Sequence, residues 1–169
     1  SEYGYRYFVV DKERDEEGKI ISSTYIREML ADGNIIKANK LLGYYYFVTG
    51  TVQHGNAIGH TKLYPTANLI PPAVKHLPKF GVYVTRVTVD GKTYGGLTNV
   101  GAKPTISGEN PVGVETYLYN FEGDLYGKDM KVELLDFVRP EMKFESIDAL
   151  KAQLDHDIKE CQRRYLEFA

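Results

Sequence analysis

A chain of 169 residues with 43% hydrophobic and 26% charged residues is long enough to bury its own core without disulfides or metals, and reads as one ordinary domain or one plus a fragment. A formal net charge of −2 supplies no global basic field, which argues against nucleic acid or an anionic membrane as partner. The single cysteine, Cys161, excludes an intrachain disulfide and a multi-cysteine metal site, and no stretch approaches a membrane span or a signal peptide, so a cytoplasmic setting is expected.

Residues 5–10 predict a short strand, and residues 11–19 a charged loop ending near Gly18. Ser22, Ser23 and Thr24 offer capping hydroxyls for a helix that begins near Tyr25 and stops at Gly33. Asn34 is placed to cap a second short helix that runs to Leu42, with Gly43 as its stop. From Tyr44 the composition turns aromatic and β-branched. Strands are predicted over 44–52, 82–89, 93–98, 114–119 and 132–138, with Asp90-Gly91 as a hairpin turn. Short strands punctuated by Gly and Pro predict a small antiparallel barrel or sandwich. The chain closes on a helix over residues 147–168, capped by Ser146. Its apolar stripe of Ile147, Leu150, Leu154, Ile158, Cys161, Tyr165 and Phe168 reads as core packing against the barrel. Cys161 then reads as a small buried hydrophobe, since no His partner for a nucleophile is suggested.

The stretch between the first two strands carries the chemistry. Residues 50–68 read GTVQHGNAIGHTKLYPTAN, with Gly50, Gly55 and Gly59 followed by Pro65-Thr66-Ala67-Asn68. Glycines let backbone N–H groups approach a phosphate closely. Thr66 and Asn68 lie two apart, so in an extended backbone both side chains point to one face. A hydroxyl and a carboxamide oxygen there are hard ligands that suit Mg²⁺, which takes few protein ligands and completes its shell with water and substrate phosphates. On glycine spacing alone the plainer reading is a surface loop leading into a strand. The spacing is neither a Walker loop nor a dinucleotide fingerprint.

Five segments, in order, resemble the riboflavin kinase family, and in particular the kinase module of bacterial bifunctional riboflavin kinase/FAD synthetases. They are Ser22-Ser23-Thr24-Tyr25-Ile26-Arg27; the Gly50–Asn68 loop with its P-T-A-N; Asn99-Val100-Gly101-Ala102-Lys103-Pro104-Thr105; Val114-Glu115-Thr116-Tyr117-Leu118 followed by Phe121 and Asp124-Leu125-Tyr126-Gly127; and Arg139-Pro140-Glu141 with Phe144. From pattern alone a lone Glu in a strand is a solvent-facing residue. The resemblance implies instead that Glu115 is the general base for the 5′-hydroxyl of riboflavin. It also implies nucleotide and metal contacts from Gly55, Gly59, His60, Thr66 and Asn68, and a flavin contact from Glu141. The sequence departs from the family at His60, where Arg or Lys is usual, and at Lys62-Leu63, where Leu-Gly is usual. A neutral imidazole is a weaker phosphate partner than a fixed cation, and Lys62 is near enough in sequence to restore the charge.

The expected fold is a mainly β, about six-stranded antiparallel Greek-key barrel with a C-terminal helix and a short N-terminal helical segment. Residues 1–43 are expected to be the tail of an FMN adenylyltransferase domain and residues 44–169 the kinase domain. The expected reaction is ATP-dependent phosphorylation of riboflavin to FMN with Mg²⁺ on Thr66 and Asn68, and FMN adenylyltransferase activity is expected to be absent from this chain. A flavin- or nucleotide-binding barrel without catalysis is the second reading. A barrel binding single-stranded nucleic acid needs a basic groove that the net charge does not favour.

Overall fold

The structure, a computed structural model, describes residues 4, 6–53, 66–102 and 112–168. The two expected helices form α1 (Ser23–Asp32) and α2 (Ile35–Leu42). Their ends follow from local chemistry. The Ser22 hydroxyl accepts from the Tyr25 amide, the Asn34 side chain accepts from the Lys37 amide, and Gly33 and Gly43 stop the helices at φ 80° and 75°. The strand expected over residues 5–10 is not present among the described residues, where Tyr7, Phe8, Val9 and Val10 stand exposed. Apolar composition alone makes no strand without a neighbour to pair with.

Six strands follow: β1 (Phe47–Thr51), β2 (Ala67–Leu69), β3 (Gly81–Val89), β4 (Lys92–Ala102), β5 (Val112–Leu118) and β6 (Asp129–Pro140). They pair antiparallel in the order β1-β6-β3-β4-β5-β2. Strand β6 returns beside β3 of the β3-β4-β5 meander, which is a Greek key. The two edges meet at a bridge between Gln53 and Asn68, so the sheet curls into a barrel. Asp90 and Gly91, at φ 49° and 71°, make the β3–β4 turn that the Asp-Gly pair predicts.

The register separates two cores. Val48, Leu69, Tyr83, Val87, Val100, Val114, Val132 and Leu134 fill the barrel, and Leu30, Ile35 and Ala38 of the two helices join them. Asn39 docks α2 onto the wall: its amide donates to the Leu134 carbonyl at 2.8 Å and its oxygen accepts from the Tyr46 amide at 2.7 Å. Inside the barrel, the hydroxyls of Thr85, Thr98 and Thr116 form a buried ladder with successive spacings of 2.9 Å. Register shifts between Val82/Tyr83 and Val84/Thr85 mark bulges in the β3–β6 pairing. Consecutive Leu134 and Leu135 are both fully buried, the first inside the barrel and the second outside it, because both faces of β6 are covered there.

The second core lies on the outer face, under α3 (Ile147–Tyr165), which Ser146 caps. Val82, Val84, Leu97, Tyr119 and Leu135 pack there with Cys161, flanked by Ile158, Tyr165 and Phe168. Gly95 makes room for this packing, since a Cβ at that position would sit 2.9 Å from both the Tyr119 and the Tyr165 ring. Cys161 is the buried small residue the stripe predicts.

Burial pushes the Cys161 thiol up to about 12, with nearby Asp157 adding to the effect, and burial also raises Tyr119 and Tyr83. Each group holds its proton in the folded chain and releases it sooner when unfolded. Their contribution is therefore intact below about pH 9, the ordinary thiol value, and is lost as pH rises toward 12. From Cys161 alone, the chain is expected to be about 2 kcal/mol less stable near pH ~10.5 than near pH ~8. Denaturant midpoints at the two pH values measure this, and equal midpoints would contradict it.

Candidate active site

The N-terminal half of α3 does not close onto the sheet. Between them lies a cavity of about 310 Å³ on the outer face of the barrel. Strand alternation decides which residues face it. On β5, Val114, Thr116 and Leu118 turn inward, which leaves Glu115 and Tyr117 outward. The same parity turns Val82 of β3 and Leu97 and Asn99 of β4 into the cavity. Leu150, Leu154 and Ile158 form the opposite wall. The helix stripe is thus divided: its C-terminal part is core, as expected, and its N-terminal part lines a site.

The cavity has an apolar slot and a polar end. Thr66, Asn99, Glu115 and Glu141 gather at the polar end. The Thr66 hydroxyl donates to a Glu115 carboxylate oxygen at 2.5 Å, across 49 positions of sequence. Asn68 and Asn99 both lie opposite Glu115 in the ladder, one on each neighbouring strand. Directly opposed residues share a face, so the carboxylate sits between two carboxamide side chains. Glu141 reaches over Gly101 of β4, where an added Cβ would fall 1.8 Å from a Glu141 carboxylate oxygen. A side chain at position 101 would displace the Glu141 carboxylate from this place.

At the far side of the cavity, Arg139 at the end of β6 pairs with Asp157 of α3 at 2.6 Å. Asp157 is 1% exposed. Among the described residues, no cluster of three or more His, Cys, Asp or Glu side chains could hold a metal.

Of the residues singled out in the sequence, Thr66, Glu115 and Glu141 converge on this cavity. Asn68 is 8% exposed and stands beside Glu115 in the sheet, outside the cavity lining. Gly55, Gly59, His60, Lys62 and Leu63 lie outside the described residues. Asn99 and the Arg139–Asp157 pair went unread as site features. Asp157 did carry a signal: it falls between Leu154 and Cys161 on the buried side of the helix, and a carboxylate placed there requires a partner.

A protein-family model described as flavokinase, riboflavin kinase, matches residues 42–165. Curated relatives include bifunctional riboflavin kinase/FMN adenylyltransferases. That of Listeria monocytogenes is 38% identical over 149 residues, covering 88% of this chain and 47% of the relative. That of Bacillus subtilis is 38% identical over 152 residues, covering 89% and 48%. The chain thus spans about half the length of the curated relatives it matches. A crystal structure from Streptococcus pneumoniae described as a macrolide-efflux protein superposes with TM-score 0.79 at 39% identity, covering 90% of this chain and 50% of that one. Riboflavin kinase from Trypanosoma brucei superposes with TM-score 0.51 at 22% identity, over 70% of this chain and 75% of that one, a likeness of fold alone.

Proposed function

The chain belongs to the riboflavin kinase family, and from that membership we propose that it transfers the terminal phosphoryl group of ATP to the 5′-hydroxyl of riboflavin, giving FMN and ADP. The observation that carries this reading is the two-ended cavity. An apolar slot walled by Val82, Leu97, Tyr117, Leu154 and Ile158 suits a flat aromatic ring system, and the polar end suits a polyhydroxyl chain. A ring seated in the slot directs its ribityl chain toward Glu115.

Each residue then has a role. Glu115 accepts the proton of the attacking hydroxyl. Thr66, by donating to that carboxylate at 2.5 Å, holds it in one orientation. Asn99 and Glu141 take ribityl or nucleotide hydroxyls. The Gly55–Gly59 segment and His60, which lie outside the described residues, are assigned to the phosphates from the family resemblance.

The residues present fit Mg²⁺: the Thr66 oxygen and the Asn68 carboxamide are hard ligands two positions apart, next to an anionic carboxylate. When bound, the ion neutralises phosphate charge. Residues 1–43 are assigned to the end of an adenylyltransferase unit and residues 44–169 to the kinase unit, which is supported by the family match beginning at residue 42. Among the described residues no helix is long and apolar enough to cross a membrane, and the proposed setting is the cytoplasm, where ATP is supplied.

The test is direct. The chain is incubated with riboflavin, ATP and Mg²⁺, and FMN is followed by chromatography. Tight riboflavin binding without FMN formation would sink the kinase reading and favour a flavin-binding barrel without catalysis.

A finer expectation concerns Thr66. Thr66→Val removes both the donor to Glu115 and the proposed metal ligand at nearly constant volume. Turnover is expected to fall roughly tenfold or more, the scale of one charge-assisted hydrogen bond. Thr66→Ser, which keeps the hydroxyl, is expected to recover most of it. Steady-state rates of the two variants decide the matter, and equal rates would remove the hydroxyl from the mechanism.

A further inference from the structure

We propose that Asp157 is a positioning residue: through Arg139 it sets the distance between α3 and the sheet, and so the width of the slot that takes the flavin ring. This rests on the riboflavin kinase reading. The argument begins from what holds α3 in place. Its C-terminal half is fixed by the outer core around Cys161. Its N-terminal half faces the cavity, so Leu150 and Leu154 have open space where a packed wall would otherwise stand, and Ile158 marks the boundary, lining the cavity while also packing on the outer core. Hydrophobic contact cannot define the separation there.

Polar contacts do so instead. One Asp157 oxygen accepts from Arg139 Nε at 2.9 Å and from Nη2 at 2.6 Å, and the other accepts from Gln153 Nε2 at 2.8 Å. Arg139 is itself fixed. Its Nη1 donates to the Pro140 carbonyl at 2.9 Å, and its guanidinium lies 6.0 Å from the Phe144 ring centroid. In the ladder Arg139 stands opposite Val82, which lines the slot. The ion pair therefore ties one wall of the slot to the other within one residue of each: Ile158 follows Asp157, and Val82 pairs with Arg139.

Two other roles fit less well. Arg139 lines the cavity and carries a positive charge, so a substrate phosphate is an obvious partner. Its Nε and Nη2 are turned to Asp157 of α3 and its Nη1 to the Pro140 carbonyl of its own strand, so each nitrogen of the fork already has a protein partner. Stability alone does not account for the pair either, because a buried ion pair is often matched in stability by apolar residues of similar volume. With Arg139 Nε and Nη2 on one Asp157 oxygen and Gln153 on the other, the carboxylate is held in a set direction, which an apolar contact does not supply.

The experiment compares the parent with D157N and Q153M. Binding of riboflavin and of lumichrome, a flavin-derived tricycle without the ribityl chain, is measured by flavin fluorescence, alongside kcat, the KM for ATP and the thermal midpoint. D157N is expected to weaken riboflavin and lumichrome binding by the same factor, roughly tenfold. Its kcat at saturating riboflavin and its KM for ATP should stay within about twofold of the parent. Q153M removes only the lesser contact and is expected to shift both ligands in the same direction by roughly threefold. If D157N does not fold, Q153M carries the test.

Several results overturn the proposal. Parent-like binding of both ligands is one. Loss of riboflavin with lumichrome unchanged is another, since it would place the effect at the ribityl end. A fall in kcat with binding unchanged is a third. A parent that binds both ligands, shows the expected losses in its variants and makes no FMN supports the slot and removes the kinase reading alone.

Discussion

Glu115→Gln is expected to lower turnover by roughly 10²-fold or more, the usual contribution of a positioned general base. The substitution keeps the shape and one carbonyl oxygen, so the Thr66 hydroxyl at 2.5 Å still has an acceptor. The backbone pairing to Asn68 and Asn99 is untouched. What is lost is the capacity to take a proton. The thermal midpoint and the affinity for riboflavin should therefore stay near those of the parent while kcat falls. A folded variant with near-normal kcat would remove Glu115 from the role of base.

Gly81→Ala is expected to be the most damaging single-methyl change at a described glycine of this fold. Gly81 has φ +151°, and a Cβ there would lie 2.2 Å from the Arg139 carbonyl oxygen and 2.8 Å from the Phe137 ring. The first obstacle is backbone and cannot rotate away. The expected cost is about 3 kcal/mol or more, which lowers the thermal midpoint of a chain this size by about 6–12 °C. Gly91→Ala is the control. It shares a positive φ of +71° but has nothing within 4 Å, so it pays only the left-handed strain of about 1–2 kcal/mol. Melting curves for the two variants compare them directly, and equal midpoints would show that β3 and β6 can part at Gly81. Flavin binding should weaken in Gly81→Ala as well, because the displaced segment carries Arg139 and Glu141.

Much of the fold was legible because its signals are local. Ser22, Asn34 and Ser146 cap the three helices as the sequence predicts, and Gly33 and Gly43 end the first two. The Asp90-Gly91 turn fixes the β3–β4 hairpin and with it the parity of the central strands. The converse failure is also local: Tyr7–Val10 has strand composition but no partner among the described residues. The site was legible only in part. Thr66 and Glu115 stood out through resemblance, yet no spacing announces that residues 49 positions apart share a hydrogen bond. The slot could not be read at all. A helix stripe looks the same whether its apolar residues meet a core or wall an empty space, and here one helix does both. The threonine ladder was hidden for a related reason. Three isolated threonines in three strands look like ordinary β-formers until register brings their hydroxyls to 2.9 Å.

The place where the barrel closes has a consequence of its own. Strands β1 and β2 are the two ends of the sheet, and the Gln53–Asn68 bridge joins them, with no longer ladder between them among the described residues. The structure is thus a curled ribbon held by a latch, and the latch residue Asn68 is also the proposed metal ligand. The latch itself is backbone, since the Gln53 amide donates to the Asn68 carbonyl at 2.9 Å, so a substitution of the Asn68 side chain can remove the proposed ligand and leave the seam closed.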